Sequence, residues 1–184
     1  PQMIAVDSTY LYVSSYNANR VMIFDISGTS NSGAVTGEAA VNVLGQSSFT
    51  SSGQATTQSG LSVPYGIGVT PTRLYVGDWS DYRIMIYDLS DGITNGENAT
   101  DVLGQTDSSG AAVFTKDGSN NGPVATGFNQ PRGVAVDEIN HRLFVADNIN
   151  NRVLVFNLSA ANTLTDYTAD YVLGEMTDFN SASR

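Results

Sequence analysis

The sequence predicts an all-β fold, a β-propeller of four-stranded antiparallel blades with three blades in this chain. The first observation is repetition: similar segments begin at Pro1, Pro64 and Pro131 of the 184 residues. The second is that each segment holds short β-branched and aromatic runs separated by Asn, Asp, Ser and Gly, a pattern typical of strands and turns. The third is that no window of ten residues shows helical periodicity. A repeated four-stranded unit of about 40 residues indicates a propeller blade.

Each repeat contains four strand candidates, A to D, in the same order. Strand A follows the proline, and strand B is a Leu-aromatic-Val run. Strand C begins at an arginine, and strand D ends in Val-Leu-Gly. The three arginines are Arg20, Arg83 and Arg152, and the closing glycines are Gly45, Gly104 and Gly174. We therefore expect blades at about 1–46, 64–105 and 131–175, joined by long connections at 47–63 and 106–130.

The three repeats resemble the NHL repeat, most clearly from Pro131 to Phe156. The shared pattern is Pro-x-Gly-[Ile/Val]-x-Val-Asp, then Leu-[Tyr/Phe]-Val-x-Asp, then Asn-x-Arg and a β-branched strand. The second repeat departs from it at Thr70 and Tyr82, and the first at Ser14-Ser15. The resemblance implies a propeller built of four-stranded blades. It implies no single activity, because NHL propellers include peptide, carbohydrate and RNA binders, receptor sensor domains and a few enzymes.

Composition and charge exclude several classes of partner. Eighteen acidic residues against eight basic ones give a net charge of −10, which argues against nucleic-acid binding and against docking on anionic lipid. The longest apolar run, Val153 to Phe156, is far too short to span a membrane. Without cysteine the chain has no disulfides and no thiolate zinc site. The acidic, lysine-poor, Ser/Thr/Asn-rich composition is typical of a secreted bacterial protein, so we expect an extracellular or cell-surface location.

One end of the propeller is predicted to carry the ligand-binding surface. Antiparallel strands place the B–C turns and the long D–A connections at the same end of each blade. Tyrosine and tryptophan there could stack on a sugar or grip an apolar peptide side chain, and Asp and Asn could supply polar contacts. The alternative is that these are turn formers and packing residues. The predicted ligand-binding residues are Tyr16, Asn17, Asp78, Trp79, Asp81, Tyr82, Asp147, Asn148 and Asn150.

The polar residues outside this predicted surface indicate structural roles or, more weakly, functional ones. We expect the strand C arginines to bind a turn carboxylate or a carbonyl of a neighbouring blade. Asp7 and Asp137 end strand A and could approach a cation at the propeller axis, although Thr70 interrupts the set. The segment 117–122 begins like a calcium loop but lacks the glutamate at position 12 and reads as a polar loop. The sequence marks no nucleophile that His141 could activate, so no catalytic residue is expected. No cofactor is expected either.

The leading functional interpretation is a non-enzymatic module that recognises a protein, peptide or glycan. The alternatives are a metal-dependent enzyme with its site at the propeller axis, and a purely architectural half-propeller. The first and third repeats are as apolar as the second, and neither resembles a polar cap. Because propellers close with four to eight blades, we expect two copies to form a homodimer that completes a six-bladed ring. The alternative is that this chain is a piece of a longer propeller.

Overall fold

The computed structural model describes residues 1–28, 36–119, 124–174 and 179 of the chain. These contain twelve strands in three four-stranded antiparallel sheets, with strand order A-B-C-D in each. Blade 1 comprises β1 Ile4–Val6, β2 Tyr10–Ser15, β3 Arg20–Asp25 and β4 Asn42–Leu44. Blade 2 comprises β5 Pro64–Val69, β6 Arg73–Asp78, β7 Arg83–Asp88 and β8 Asp101–Leu103. Blade 3 comprises β9 Pro131–Asp137, β10 Arg142–Asp147, β11 Arg152–Asn157 and β12 Tyr171–Gly174.

The predicted all-β architecture of four-stranded blades is confirmed, and no α-helix occurs in the described ranges. Consequently no helix of the described chain is long and apolar enough to cross a membrane. Two sequence predictions reach beyond these ranges. Glu175, the last residue of the third predicted blade, and residues 120–122 of the calcium-like loop lie outside the described residues.

Strands B and C of each blade pair without a bulge across a tight turn. In blade 2 the register runs from Arg73 opposite Asp88 to Asp78 opposite Arg83. The B–C turns of blades 1 and 2 are single 3₁₀ turns, and each ends at a residue in the left-handed region, Asn19 at φ 49° and Tyr82 at φ 53°. The turn of blade 3 ends at Asn151 with φ 51°. This geometry places the arginine that follows beside the last residue of strand B.

Blade 2 is packed between blades 1 and 3, so its strands are the most deeply buried. One apolar cluster joins blade 1 to blade 2 and includes Tyr12, Ile23, Leu74, Val76 and Met85. A second cluster joins blade 2 to blade 3 and includes Tyr75, Ile84, Val145, Leu154 and Phe156. The inner strands approach closely: a Cβ added at Gly68 would lie 3.1 Å from Val134. The core of the molecule therefore lies between its blades.

Two blade faces have no packed neighbour within the described structure. On blade 1, the cross-strand pairs Leu11–Phe24 and Val13–Met22 lie opposite to the buried face and are partly exposed. On blade 3, Phe144 and Val153 occupy the corresponding outer face and are also partly exposed, and Leu173 is half exposed. Because side chains alternate between the two faces of a strand, these apolar residues lie together on the outer face of each blade. Within the described structure, blades 1 and 3 therefore each have an apolar outer face.

Candidate functional site

The B–C turn of blade 2 holds a buried ionic cluster. The Asp78 and Arg83 side chains are fully buried, and Arg83 Nε donates to Asp78 Oδ2 at 2.8 Å. Arg83 Nη2 lies 3.1 Å from Oδ2 of the buried Asp81. Asp78 Oδ1 also accepts the backbone N–H of Ser62 at 2.6 Å, in the connection that enters the blade. These carboxylates are therefore bonded to the chain itself.

Blade 3 repeats this arrangement with one change of charge. Arg152 Nε donates to Oδ2 of the buried Asp147 at 2.8 Å, and Oδ1 accepts the backbone N–H of Asn129 at 2.6 Å. The buried Asn150 replaces Asp81 and donates its amide to Asp147 Oδ2 at 2.8 Å. Blade 3 thus has one carboxylate per arginine, whereas blade 2 has two.

Arg83 and Arg152 also bind the connecting segments on either side of their blades. Arg83 Nη2 donates to Gly60 O at 3.0 Å in the entering connection, and Nη1 donates to Phe114 O in the leaving one. Arg152 Nη2 donates to Gly127 O at 3.1 Å, and Nη1 to Phe179 O at 2.6 Å. The structural role predicted for these two arginines is confirmed.

In blade 1 the corresponding arginine, Arg20, forms only part of this set of hydrogen bonds. Ser15 stands where the other blades have aspartate, because the first repeat reads Ser14-Ser15. Arg20 Nη1 donates to Phe49 O and, at 3.4 Å, to Ser51 O, both in the connection that leaves the blade. The buried Arg20 Nε has no hydrogen-bond partner among the described residues. The ionic cluster is therefore a feature of blades 2 and 3.

Burial dominates the electrostatics of the blade 2 cluster. Desolvation raises the pKa of Asp78 to about 7; the Arg83 charge opposes this shift, and Asp81 reinforces it. Burial also raises the pKa of Asp81, again against the effect of Arg83. Two carboxylates sharing one buried guanidinium leave an uncompensated negative charge when both are ionised. The cluster is consequently sensitive to pH.

A second cluster, which we call the aromatic cluster, consists of Tyr16, Tyr65, Trp79 and Arg132. The rings of Tyr16 and Tyr65 meet edge to face with centroids 5.4 Å apart, and Tyr65 and Trp79 are 6.3 Å apart. The guanidinium of Arg132 lies 5.2 Å from the centroid of the Tyr65 ring, a cation–π distance. Tyr16 belongs to blade 1, Tyr65 and Trp79 to blade 2, and Arg132 to blade 3. The cluster therefore crosses all three blades.

The aromatic cluster retains capacity for further polar contacts. Arg132 is exposed and forms no ion pair among the described residues. Trp79 is partly exposed, while its indole N–H is shielded and has no acceptor in the described part of the chain. The guanidinium has five N–H donors, and its contact with the Tyr65 ring face occupies none of them in a conventional hydrogen bond. This surface can offer ring faces and hydrogen-bond donors to a ligand.

The nine predicted ligand-binding residues are divided between these environments. Tyr16 and Trp79 come together through Tyr65, which sequence reasoning missed together with Arg132. Asn17 is exposed, and Tyr82 and Asn148 are partly exposed beside the B–C turns. The four others are buried in the ionic clusters: Asp78, Asp81, Asp147 and Asn150. A signal for the missed pair was present in the second and third repeats, because Tyr65 and Arg132 differ while the proline before them and the glycine after them repeat.

The strand-end residues that could approach a cation at the axis bond mainly to their own turns. Asp7 accepts the backbone N–H groups of Thr9 and Tyr10, both at 2.7 Å, and the Tyr12 hydroxyl at 2.9 Å. Asp137 accepts the side-chain amide N–H of Asn140 at 2.7 Å and the backbone N–H groups of Asn140 and Ile139, and these hydrogen bonds lower its pKa. No group of three or more His, Cys, Asp or Glu side chains within the described ranges is placed to hold a metal.

Comparison with known proteins extends the picture of the fold. Residues 128–156 match the NHL repeat family model, which confirms the resemblance at the third repeat. A protein from Lactobacillus plantarum is 18% identical with a TM-score of 0.56. Candidate 6-phosphogluconolactonases from Bacteroides uniformis and Bacteroides fragilis are 12% and 14% identical, with TM-scores of 0.53 and 0.50. At these identities the similarity concerns the fold alone. No curated protein matches the sequence significantly.

The chain spans less than half the length of these similar structures. The matches cover 95% to 96% of this chain but 42% to 43% of the other chains. The structural similarity therefore applies to three blades, and the larger molecules contain additional chain.

Proposed function

We propose that this propeller is a non-enzymatic recognition module that binds a protein, peptide or glycan through the aromatic cluster. The observation that carries the proposal is the contact of Tyr16, Tyr65 and Trp79 across two blades, with the Arg132 guanidinium of the third blade at a cation–π distance from Tyr65. Aromatic faces bind sugar rings and apolar side chains at small entropic cost, because their side chains have few rotatable bonds. The exposed guanidinium adds a directional donor. The module acts outside the cell or at its surface, in keeping with its acidic, lysine-poor composition.

The proposal is tested by binding the purified chain to peptide and glycan arrays and measuring the affinity of the strongest ligand by calorimetry. Replacing Trp79 with Leu should weaken binding at least tenfold, because a partly exposed aromatic stacking surface is lost. Tyr10→Leu is the matched control, since Tyr10 lies at the start of strand B, at the opposite end of the blade. Equal affinities of both variants and the unchanged protein would overturn the assignment of the site.

An enzymatic function is the alternative, and the names of two similar structures suggest one test. Both are candidate 6-phosphogluconolactonases, but their low identity supports a shared fold and no shared chemistry. Hydrolysis of 6-phosphogluconolactone should proceed at the spontaneous rate in the presence of the purified chain. Saturable acceleration that survives repurification would contradict the non-enzymatic assignment.

We further propose that the outer faces of blades 1 and 3 associate, so that two copies complete a six-bladed ring. Repeat alignment supports this, because Phe144 on blade 3 corresponds to Tyr75, which faces blade 3 from blade 2. Likewise Leu11 on blade 1 corresponds to Leu74, which faces blade 1 from blade 2. The two outer faces therefore carry the two halves of the contact that already joins neighbouring blades. A two-fold axis would use this contact twice.

A further inference from the structure

The connections that enter blades 2 and 3 end in a common short sequence. Residues 60–64 read Gly-Leu-Ser-Val-Pro, and residues 127–131 read Gly-Phe-Asn-Gln-Pro. In both segments the residue before the proline is in the left-handed region, with φ of 63° at Val63 and 60° at Gln130. In both, the arginine of the blade binds the glycine carbonyl and the aspartate binds the N–H two residues before the proline. The repeat thus extends four residues upstream of the proline.

The apolar residue of this segment packs against the preceding blade. A Cβ added at Gly45, which closes strand D of blade 1, would lie 2.6 Å from Leu61 Cδ1. At Gly104, the same position of blade 2, the ring of Phe128 occupies that space. Leu61 shares a buried cluster with Leu44, and Phe128 shares one with Leu103. A glycine-floored socket on one blade therefore receives an apolar side chain from the segment that enters the next blade.

Blade 3 carries the corresponding glycine on its outer face, although its φ differs from the 83° and 91° of Gly45 and Gly104. Gly174 closes strand D with φ of 140°, and an added Cβ there would lie 3.1 Å from Asn151 O. The corresponding carbonyls, Asn19 O and Tyr82 O, lie at 2.8 Å in blades 1 and 2. Around Gly174 is a groove of about 310 Å³ whose apolar walls are Val153 and Leu173. Leu173 is 50% exposed, whereas its counterparts Leu44 and Leu103 are 0% exposed.

We propose that the Gly174 groove binds the entering segment of a further propeller blade, with a leucine or phenylalanine side chain between Val153 and Leu173. The occupant has the form Gly-[Leu/Phe]-[Ser/Asn]-x-Pro, because that is what fills the two equivalent sockets. The groove has the matching chemistry, two apolar walls and a glycine floor without a side chain. This inference goes beyond ligand recognition and beyond the pairing of outer faces, because it names the segment that the groove recognises.

A peptide with the sequence of residues 57–66 tests the proposal on the intact chain. A photoreactive diazirine analogue of leucine replaces Leu61 in the peptide, and mass spectrometry locates the cross-links. We expect saturable labelling within 151–153 and 171–174, prevented by excess unlabelled peptide. A competitor with aspartate in place of that leucine should be at least tenfold less effective, because a charge cannot enter the apolar groove without desolvation. Unsaturable labelling, or labelling concentrated at Gly45 or Gly104, would overturn the proposal.

Protein variants separate recognition by the groove from general stickiness of apolar surfaces. Leu173→Asp should abolish the saturable labelling, and Ile139→Asp should leave it unchanged. Ile139 is the matched control because it is 88% exposed in the A–B turn of blade 3, at the opposite end of the blade from the groove. If circular dichroism shows that Leu173→Asp disturbs the fold, Leu173→Ala should still raise the half-saturating peptide concentration severalfold. Unchanged half-saturation in Leu173→Ala would contradict the proposal.

Discussion

The contact between blades 2 and 3 and the outer face of blade 3 are built from the same repeat positions, yet their surroundings differ. In the contact, Phe128 fills the Gly104 socket and Leu103 is fully buried. On the outer face, the corresponding Leu173 is half exposed beside the Gly174 groove. The difference lies in the entering segment, since the sheets themselves pair in the same order. Blade packing in this molecule is therefore completed by connections as much as by strands.

Blades 1 and 2 also differ in their connections, as the bonding of the strand C arginine shows. Arg83 has two carboxylates and carbonyls from both connections. Arg20 has Ser15 in place of the carboxylate and binds only the leaving connection. A fully buried guanidinium requires this complete set of acceptors, whereas a partly exposed one is solvated by water. All three repeats have this arginine, but we expect Arg83 to stabilise the fold more than Arg20 does.

Replacing Arg83 with Met should produce the largest loss of stability. It leaves two buried carboxylates and two carbonyl groups without their donor, so unfolding in urea should become easier by about 4 kcal/mol. Arg20→Met is the matched variant, and its effect should stay within about 1 kcal/mol. Similar losses in the two variants would show that the ionic cluster adds nothing to the contribution of the arginine itself.

Truncating Phe128, whose ring fills the Gly104 socket, should destabilise the chain nearly as much as replacing Arg83. Phe128→Ala empties the Gly104 socket inside a packed cluster and should cost about 3 kcal/mol. Leu173→Ala removes a half-exposed wall of the outer groove and should cost less than about 1 kcal/mol in the monomer. Urea unfolding at low protein concentration compares the two. Equal costs would mean that blade contacts do not depend on the entering segment.

The smallest effect concerns pH and distinguishes the ionic clusters of blades 2 and 3. The pKa of Asp78 is about 7 in the folded chain, above its ordinary value of 3.8, so the folded state holds a proton that the unfolded chain has already released. The stabilisation that comes from protonated Asp78 is present at low pH and is lost as the pH rises through about 7. Asp81→Asn copies Asn150 of blade 3 and should stabilise the chain by about 1 kcal/mol at pH 8 and much less at pH 5.

The control for this pH experiment is Asp91→Asn, which removes an exposed carboxylate outside the cluster. It should change stability equally, and only slightly, at both pH values. A gain from Asp81→Asn that is the same at pH 5 and pH 8 would contradict the assignment of the shifted pKa to the blade 2 cluster.

The strands and the repeat were predictable because β-branched runs and a fixed order of turns encode them locally. The aromatic cluster was only half predictable. Tyr16 and Trp79 follow from their B–C turns, but Tyr65 and Arg132 reach them across blade boundaries that no local pattern specifies. The turn carboxylates could not be separated from surface ones, because a buried Asp78 and a solvated aspartate give the same turn signal.

The connections were least predictable, because their order comes from single long-range bonds. Gln46 and Gln105 close strand D and donate to carbonyls of the following connection, Gly53 O at 2.7 Å and Gly118 O at 2.8 Å. Such bonds leave no periodicity in the sequence. The only available signal was the Gly-apolar-polar-x-Pro segment, which becomes recognisable as part of the repeat once residues 60–64 and 127–131 are aligned.

The molar mass in solution, from light scattering coupled to size exclusion, tests most directly whether the outer faces of blades 1 and 3 are interface surfaces. If two copies close a ring, the mass should be about 39 kDa, twice the 19.5 kDa of one chain. Leu173→Asp, which places a charge on the outer face of blade 3, should return it to the mass of one chain. A well-behaved monomer over a broad range of concentrations, with the unchanged sequence, would contradict the closed ring.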